Sequence, residues 1–276
     1  MTTHRFKIGE FECAVIADGG GPRDLSSMFV NVTPEEMANA LQPHDMRADA
    51  VDFSINILFI NTGRHRILVD TGLGSGAGGK LLETLRSEGI EPDTITTVII
   101  THGHGDHIGG LTDGGTLVFP NAQIWMPKAD WDYYTSEAYL ATLGEEAASR
   151  AMENYFIPLQ NRIRLFEGET ELVPGIHVLP APGHTYGHTA VEVVSAGQLL
   201  LHLADAAHHP IQLEHPDWSP RFDMQADVAV KTRRQLFGWA AAQQALLMAY
   251  HFPFPGLVRI HPRGDVWGWQ PALLES

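Results

Sequence analysis

The sequence predicts an α/β protein of stacked β-sheets flanked by helices. Three observations predict it. Short apolar strand-like runs recur along the chain, a few helical stretches interrupt them, and 44% apolar content over 276 residues is enough for a large core. Glycine and proline are common but scattered, as in a loop-rich αβ protein rather than a fibrous one.

Taken in order, residues 5–17 alternate loosely and predict a first strand. Residues 20–50 break that pattern and predict either a flap over a site or a surface excursion. Within them, Thr33 followed by Pro34, Glu35 and Glu36 marks a helix start: a cap, a proline in the first turn, and acids near the positive end. Residues 53–61 (FSINILFIN) and 65–69 (HRILV) read as two strands joined by a turn at Thr62–Gly63. The second strand ends in Asp70-Thr71-Gly72. Residues 80–88 read as helix, 97–100 (TVII) as a short buried strand and 122–126 as another strand. Residues 127–160, rich in Trp, Tyr, Ala and Glu, predict a helical insertion of one or two helices. Strands follow at 176–179, 189–194 and 198–203, a long helix at 225–245, and short apolar strands at 246–250 and 257–260. With no internal repeat or linker, residues 1–276 read as one domain.

The formal net charge is -15, from 33 acidic and 18 basic side chains. A nucleic-acid-binding surface is normally basic, so DNA and RNA are excluded as partners. Cys13 is the only cysteine, which rules out an internal disulfide and fits a reducing compartment. The first residues show no apolar core after a basic stretch, and the apolar runs are far shorter than a membrane span. The expectation is a soluble, cytoplasmic protein.

The densest chemical signal is THGHGDHIGG, residues 101–110. His102, His104, Asp106 and His107 fall within six positions, directly after an apolar strand. Imidazole nitrogen and carboxylate oxygen suit zinc and related metals. In an extended segment His102 and His104 point the same way and can share one ion. Asp106 and His107, past a turn, can reach a second ion beside it. A lone histidine is usually a surface or hydrogen-bonding residue. Four ligand types packed this closely resist a packing explanation, because burial without metal leaves several polar groups to satisfy. Three more candidates end apolar runs: His184 in LPAPGHTYGH, Asp205 in LLLHLAD and His251 in ALLMAYHF. Alone, Asp205 would read as a cap or turn and His251 as a satisfied edge residue. Strand ends are where an αβ scaffold places its site residues.

With these motifs, and with the DTG at 70–72, the chain resembles the metallo-β-lactamase-fold superfamily over nearly its whole length. The resemblance implies a four-layer αβ/βα sandwich with two divalent ions at one edge. Zinc is expected first; manganese, cobalt and iron accept the same ligands. It further implies that His102, His104 and His184 hold the first ion, that Asp106, His107 and His251 hold the second, and that Asp205 bridges them. Asp70 would stand beside the site rather than bind metal. Asp106 and Asp205 would be the catalytic carboxylates around a hydroxide shared by the ions, with Asp205 fixing the metal spacing and accepting a proton. One departure is Ala204, where many members have glycine; its small methyl is expected to be tolerated.

Branches of the superfamily separate in part. Classical zinc β-lactamases often use a late cysteine ligand, whereas Cys13 lies near the start. The extra flavin domain and the acidic first-motif ligand of the di-iron members are not evident, and the acidic charge argues against the nucleases of this fold. The HFPFPG segment at 251–256, the HPRG at 261–264 and the helix at 225–245 are similar to the lactonase and organophosphate-hydrolase branch, in particular to methyl parathion hydrolase. Well-known homoserine lactonases carry a tyrosine shortly after the bridging aspartate. Here the sequence continues Ala206, Ala207, His208, His209, so His208 is the candidate to take that place. The implied activity is hydrolysis of lactones or aryl esters, with phosphotriesterase side activity. A glyoxalase-II-like thioesterase is the first alternative, disfavoured by sparse Lys and Arg; a non-catalytic metal-binding protein is the second. Candidate substrate walls are Met28, Phe29, Trp131, Tyr133, Tyr134, Tyr186 and His208, each with core packing as its ordinary explanation. Trp267, Gly268 and Trp269 are a candidate contact surface for a homodimer.

Overall fold

A computed structural model describes residues 2–272. Two seven-stranded sheets face each other. The first holds β1 (Thr3–Ile8), β2 (Phe11–Arg23), β3 (Val51–Asn61), β4 (Arg66–Val69) and β5 (Thr97–Ile99). A two-stranded hairpin of β6 (Thr112–Asp113) and β7 (Thr116–Leu117) stands apart, and β8 (Gln123–Pro127) and β9 (Ile163–Phe166) complete the first sheet. The second sheet runs β10 (Thr170–Val173), β11 (Ile176–Pro180), β12 (Thr189–Ser195), β13 (Gln198–His202), β14 (Leu246–Met248), β15 (Leu257–Arg263) and β16 (Val266–Pro271) in chain order.

Alternation along the strands builds the layers. In β3, Leu58 and Ile60 point into the core between the sheets, with Val15, Val69, Val178 and Leu200. Their neighbours Ile57 and Phe59 point outward and pack with Leu81 and Leu85 of the helix Leu81–Ser87. On the other side, Leu201 and Leu247 face Phe237 and Ala240 of the helix Ala226–Gln243. A strand buried on both faces reads as a continuous apolar run, as FSINILFIN does. The result is the αβ/βα sandwich.

The expected single strand at 5–17 is instead a hairpin. Gly9, with φ +55, turns the chain so that Ile8 pairs with Phe11. The loose alternation hid the turn because its other residue, Glu10, carries no turn signal of its own. The helix at 34–41 starts as expected, with a capping box between Thr33 and Glu36. The 20–50 segment closes a small core of its own, in which Leu25, Met37 and Leu41 pack with Ile211. Residues 127–160 form a chain of short helices, Lys128–Tyr134, Glu137–Leu143 and Glu145–Ala151, followed by a π-turn, rather than one or two helices. Gly144, with φ +79, breaks the stretch. The strands β9, β10 and β16 carry no apolar run strong enough to be read from sequence.

Parallel pairing decides where the chemistry sits. β4 pairs parallel to β5, and β13 parallel to β14. Asp70, the 101–110 loop, Asp205 and His251 all follow the carboxyl ends of these four strands, and His184 follows β11.

Candidate metal centre

The seven candidate ligands converge at that edge in two adjoining groups. His102, His104, His184 and Asp205 form one, and Asp106, His107 and His251 the other; within each group the donor atoms lie within 4.8 Å of one another. His104 Nδ1 is 3.0 Å from both His102 Nε2 and His184 Nε2. The Asp205 carboxylate reaches both groups. Its Oδ2 is 3.3 Å from His184 Nε2 and 3.2 Å from His251 Nε2, and its Oδ1 is 3.3 Å from His107 Nε2.

Four of the five donor histidines have the inward nitrogen aimed by a partner behind the ring. His107 Nδ1 donates to Asp70 Oδ2 at 2.8 Å, His184 Nδ1 to Asp223 Oδ1 at 3.0 Å, and His251 Nδ1 to the Ser54 carbonyl at 2.9 Å. His102 Nδ1 lies 3.1 Å from Thr101 Oγ1, whose proton goes to Asp70 Oδ2. With the far nitrogen protonated, Nε2 of each of these four rings can present a lone pair to the centre once metal displaces any proton it carries, and His104 faces the centre through Nδ1. His107 Nε2 and Asp205 Oδ1 are buried and make no hydrogen bond. Buried lone pairs facing one another repel unless a cation lies between them, so this donor set fits divalent metal. Asp70, at φ +65, stands beside the donors rather than among them.

The protein's own charges and burial tune the donors. Burial, followed by the His107 and His104 charges, lowers His102 well below its ordinary value, and burial with His184 pushes His104 down to about 3. Burial opposes the charging of His184, but Asp205 and Asp223 outweigh it and raise that ring to about 9. Burial alone would raise the Asp205 carboxyl; His251, His107 and His208 hold it well below the usual carboxylate range.

Several residues at the site gave no sequence signal. Asp130 is fully buried and accepts from Gly103 N, Thr185 Oγ1 and Gly187 N. Asp223, which orients His184, is held by the buried Arg233. His188 Nε2 accepts from Asp205 N at 3.0 Å and so places the shared carboxylate. Tyr250 stacks on His107 at 3.9 Å and donates to the Asp106 carbonyl. His188, inside the LPAPGHTYGH motif, and Tyr250, inside ALLMAYHF, stood near a sequence cue; Asp130 and Asp223 did not. Ala204 takes φ +46, which explains why glycine suits this position: an L-residue there costs about 1–2 kcal/mol.

A cavity of about 390 Å³ opens onto both groups, lined by five of the donors with Phe53, Gly105, His208 and Phe222. Neither lysine nor arginine lines it. Among the candidate wall residues, His208 lies in this wall, its ring stacked on His251 and its Nε2 3.4 Å from Asp205 Oδ2, with neither nitrogen making a hydrogen bond. The others lie elsewhere. Met28 and Phe29 are in the core of the 20–50 segment. Trp131, Tyr133 and Tyr134 belong to the core on the helix side of the first sheet, where aromatic bulk is best buried. Tyr186 lines a separate surface cavity with Lys128 and Phe166. Phe53 and Phe222 take the wall positions. Trp267 packs on Phe237, and Trp269 stacks on His44 and donates to Glu214 Oε1, so both rings have partners within the chain.

A four-layer αβ/βα sandwich with a His/Asp donor cluster at the carboxyl edge of its strands defines a class of metal-dependent hydrolases. A model of the metallo-beta-lactamase superfamily matches residues 50–249, and the chain belongs to that superfamily. It is homologous to an N-acyl homoserine lactonase of Bacillus sp., with 28% identity over 203 residues, 64% of this chain and 69% of the relative. An N-acyl homoserine lactonase of Bacillus thuringiensis is 29% identical over 166 residues, and the match spans only 60% of that relative. Among solved structures, AidC, a dizinc quorum-quenching lactonase in complex with a product, N-hexanoyl-L-homoserine, superposes with a TM-score of 0.89 at 27% identity, covering 99% of this chain and 98% of that one. The hydrolase AbOPH superposes at 0.90 with 23% identity, which speaks to the fold alone. No helix among the described residues is long and apolar enough to cross a membrane.

Proposed function

We propose that the protein is a dinuclear metal-dependent hydrolase of uncharged lactones, with aryl esters as further substrates and phosphotriesters as a side activity. The observation that carries this reading is the cavity itself: it opens onto both donor groups, has two phenylalanines in its wall, and has no lysine or arginine there to hold an anionic substrate. The lactonase relatives support it.

His102, His104 and His184 would hold one ion, Asp106, His107 and His251 the other, and Asp205 would contact both. Bound divalent metal lowers the pKa of water to near neutral and polarises a carbonyl oxygen. The chain's own residues supply the rest. Phe53 and Phe222 hold the apolar part of the substrate against the mouth of the site. His208, in the cavity wall with its Nε2 beside Asp205, is the residue that would donate to the substrate carbonyl, the task a tyrosine would otherwise perform. Asp205, kept ionised, would take a proton from the attacking water and return it to the leaving alkoxide oxygen as the ester opens.

The test compares an aryl lactone, a long-chain homoserine lactone, an aryl phosphotriester and a glutathione thioester, each with zinc-loaded and chelated protein. Fast turnover of either lactone, abolished by the chelator, is expected. Turnover of the thioester alone would overturn the substrate assignment.

A further inference from the structure

We propose that Asp130 is a positioning residue that sets the spacing between His102, His104 and His184 by clamping together the two loops that carry them. The inference rests on the reading above that these three histidines hold one ion.

The two loops come from different sheets. His102 and His104 follow β5 of the first sheet, and His184 follows β11 of the second. Behind the donors, Thr189 N donates to the Thr101 carbonyl at 3.1 Å and ties the roots of the two loops, and the partners of His102 and His184 fix their ring orientations; neither sets the distance between the stretches that carry His104 and His184. Asp130, on the helix Lys128–Tyr134, closes that distance. Its Oδ2 accepts from Gly103 N at 2.8 Å and from Thr185 Oγ1 at 2.8 Å, and its Oδ1 accepts from Gly187 N at 2.6 Å. Gly103 lies between two donors, and Thr185 adjoins the third. One carboxylate therefore holds both loops at once, with no exposure to solvent that would weaken it.

The glycines corroborate the clamp. A Cβ on Gly103 would lie 2.2 Å from the Tyr134 ring, and one on Gly187 would lie 2.7 Å from Asp130 N and 2.9 Å from its Oδ1. Both loops lack a side chain where the same helix presses against them. A carboxylate suits the place because all three neighbours are donors. An amide would set its own NH₂ against at least one of them.

The experiment measures zinc stoichiometry and stepwise affinity by competition with a chromophoric chelator, in the wild type, Asp130→Asn, Thr185→Val and the double variant. The wild type is expected to hold two zinc ions. Asp130→Asn should hold one of them about 10- to 100-fold more weakly, the range typical when a residue supporting a metal ligand is lost, and leave the other unchanged. Thr185→Val should show a smaller loss of the same step. The double variant should lose less than the two single losses combined, because both substitutions act on the same clamp. A purely structural residue would lower the melting temperature and leave both affinities alone; that result overturns the clamp. Should Asp130→Asn not fold, an unchanged affinity in Thr185→Val overturns it equally. A wild type that binds no zinc would instead overturn the metal reading itself, and the clamp with it.

Discussion

Asp70 shows how much of the centre depends on residues that bind nothing themselves. Its Oδ1 accepts from Thr101 N, and its Oδ2 accepts from Thr101 Oγ1 and His107 Nδ1. Asp70→Asn would place an amide among these donors, and one unmet buried donor costs about 1–3 kcal/mol. The expected outcome is a lower melting temperature together with zinc binding weakened about 10- to 100-fold at the step that uses His107. Equilibrium zinc titration checks it; wild-type affinity would show that His107 needs no aiming. At the same scale, His208→Phe keeps the ring in the cavity wall but removes its donors. It should lower kcat for lactones while zinc content stays at the wild-type level. The donor histidines were legible because four ligand types crowd one loop, a local property. Asp130 was not, because its partners lie 27 and 57 positions away, and one of two aspartates in a short helix reads as surface charge. Phe53 was absorbed into an apolar strand for the same reason: which face of its strand opens on a cavity is a long-range fact.

At the level of elements, burial on both faces made the central strands easy to see and their edges hard. FSINILFIN announces β3, whereas β9 and β10 flank the charged turn at 167–169 and carry too little apolar pattern to stand out. The β1–β2 hairpin was hidden by one glycine. Gly9 at φ +55 brings the turn against the second sheet, where Gly9 N donates to Gln198 Oε1 and Glu10 N to Ser195 Oγ. A Cβ there would lie 2.1 Å from the Ser195 carbonyl oxygen. Gly9→Ala therefore combines a left-handed alanine, costing about 1–2 kcal/mol, with a backbone clash. Thermal unfolding should shift down by at least about 2–4 °C for each kcal/mol lost. Zinc stoichiometry should not change, because the hairpin contacts the strand ends opposite the donors. Loss of zinc in this variant would mean that the two ends of the sandwich are coupled.

For the molecule as a whole, the surplus of acidic charge and the donor cluster point the same way. A chain of net charge -15 gains from binding divalent cations, and most of that gain is concentrated where Asp106 and Asp205 lie beside buried histidines. Metal that binds the folded form and not the unfolded one stabilises it by mass action, so chelation should lower the melting temperature and added zinc should restore it. The pH dependence has a definite sign. Burial works against a charged His184, yet Asp205 and Asp223 raise it to about 9, so below that value the ring carries a proton that a metal must displace. Zinc binding should therefore tighten as pH rises toward about 9 and should release protons. Calorimetry in buffers of different ionisation enthalpy reads that release directly. Binding that takes up protons, or is indifferent to pH over this range, would mean that His184 already presents a lone pair. Its bond to Asp223 would then be steering a neutral ring rather than stabilising a charged one.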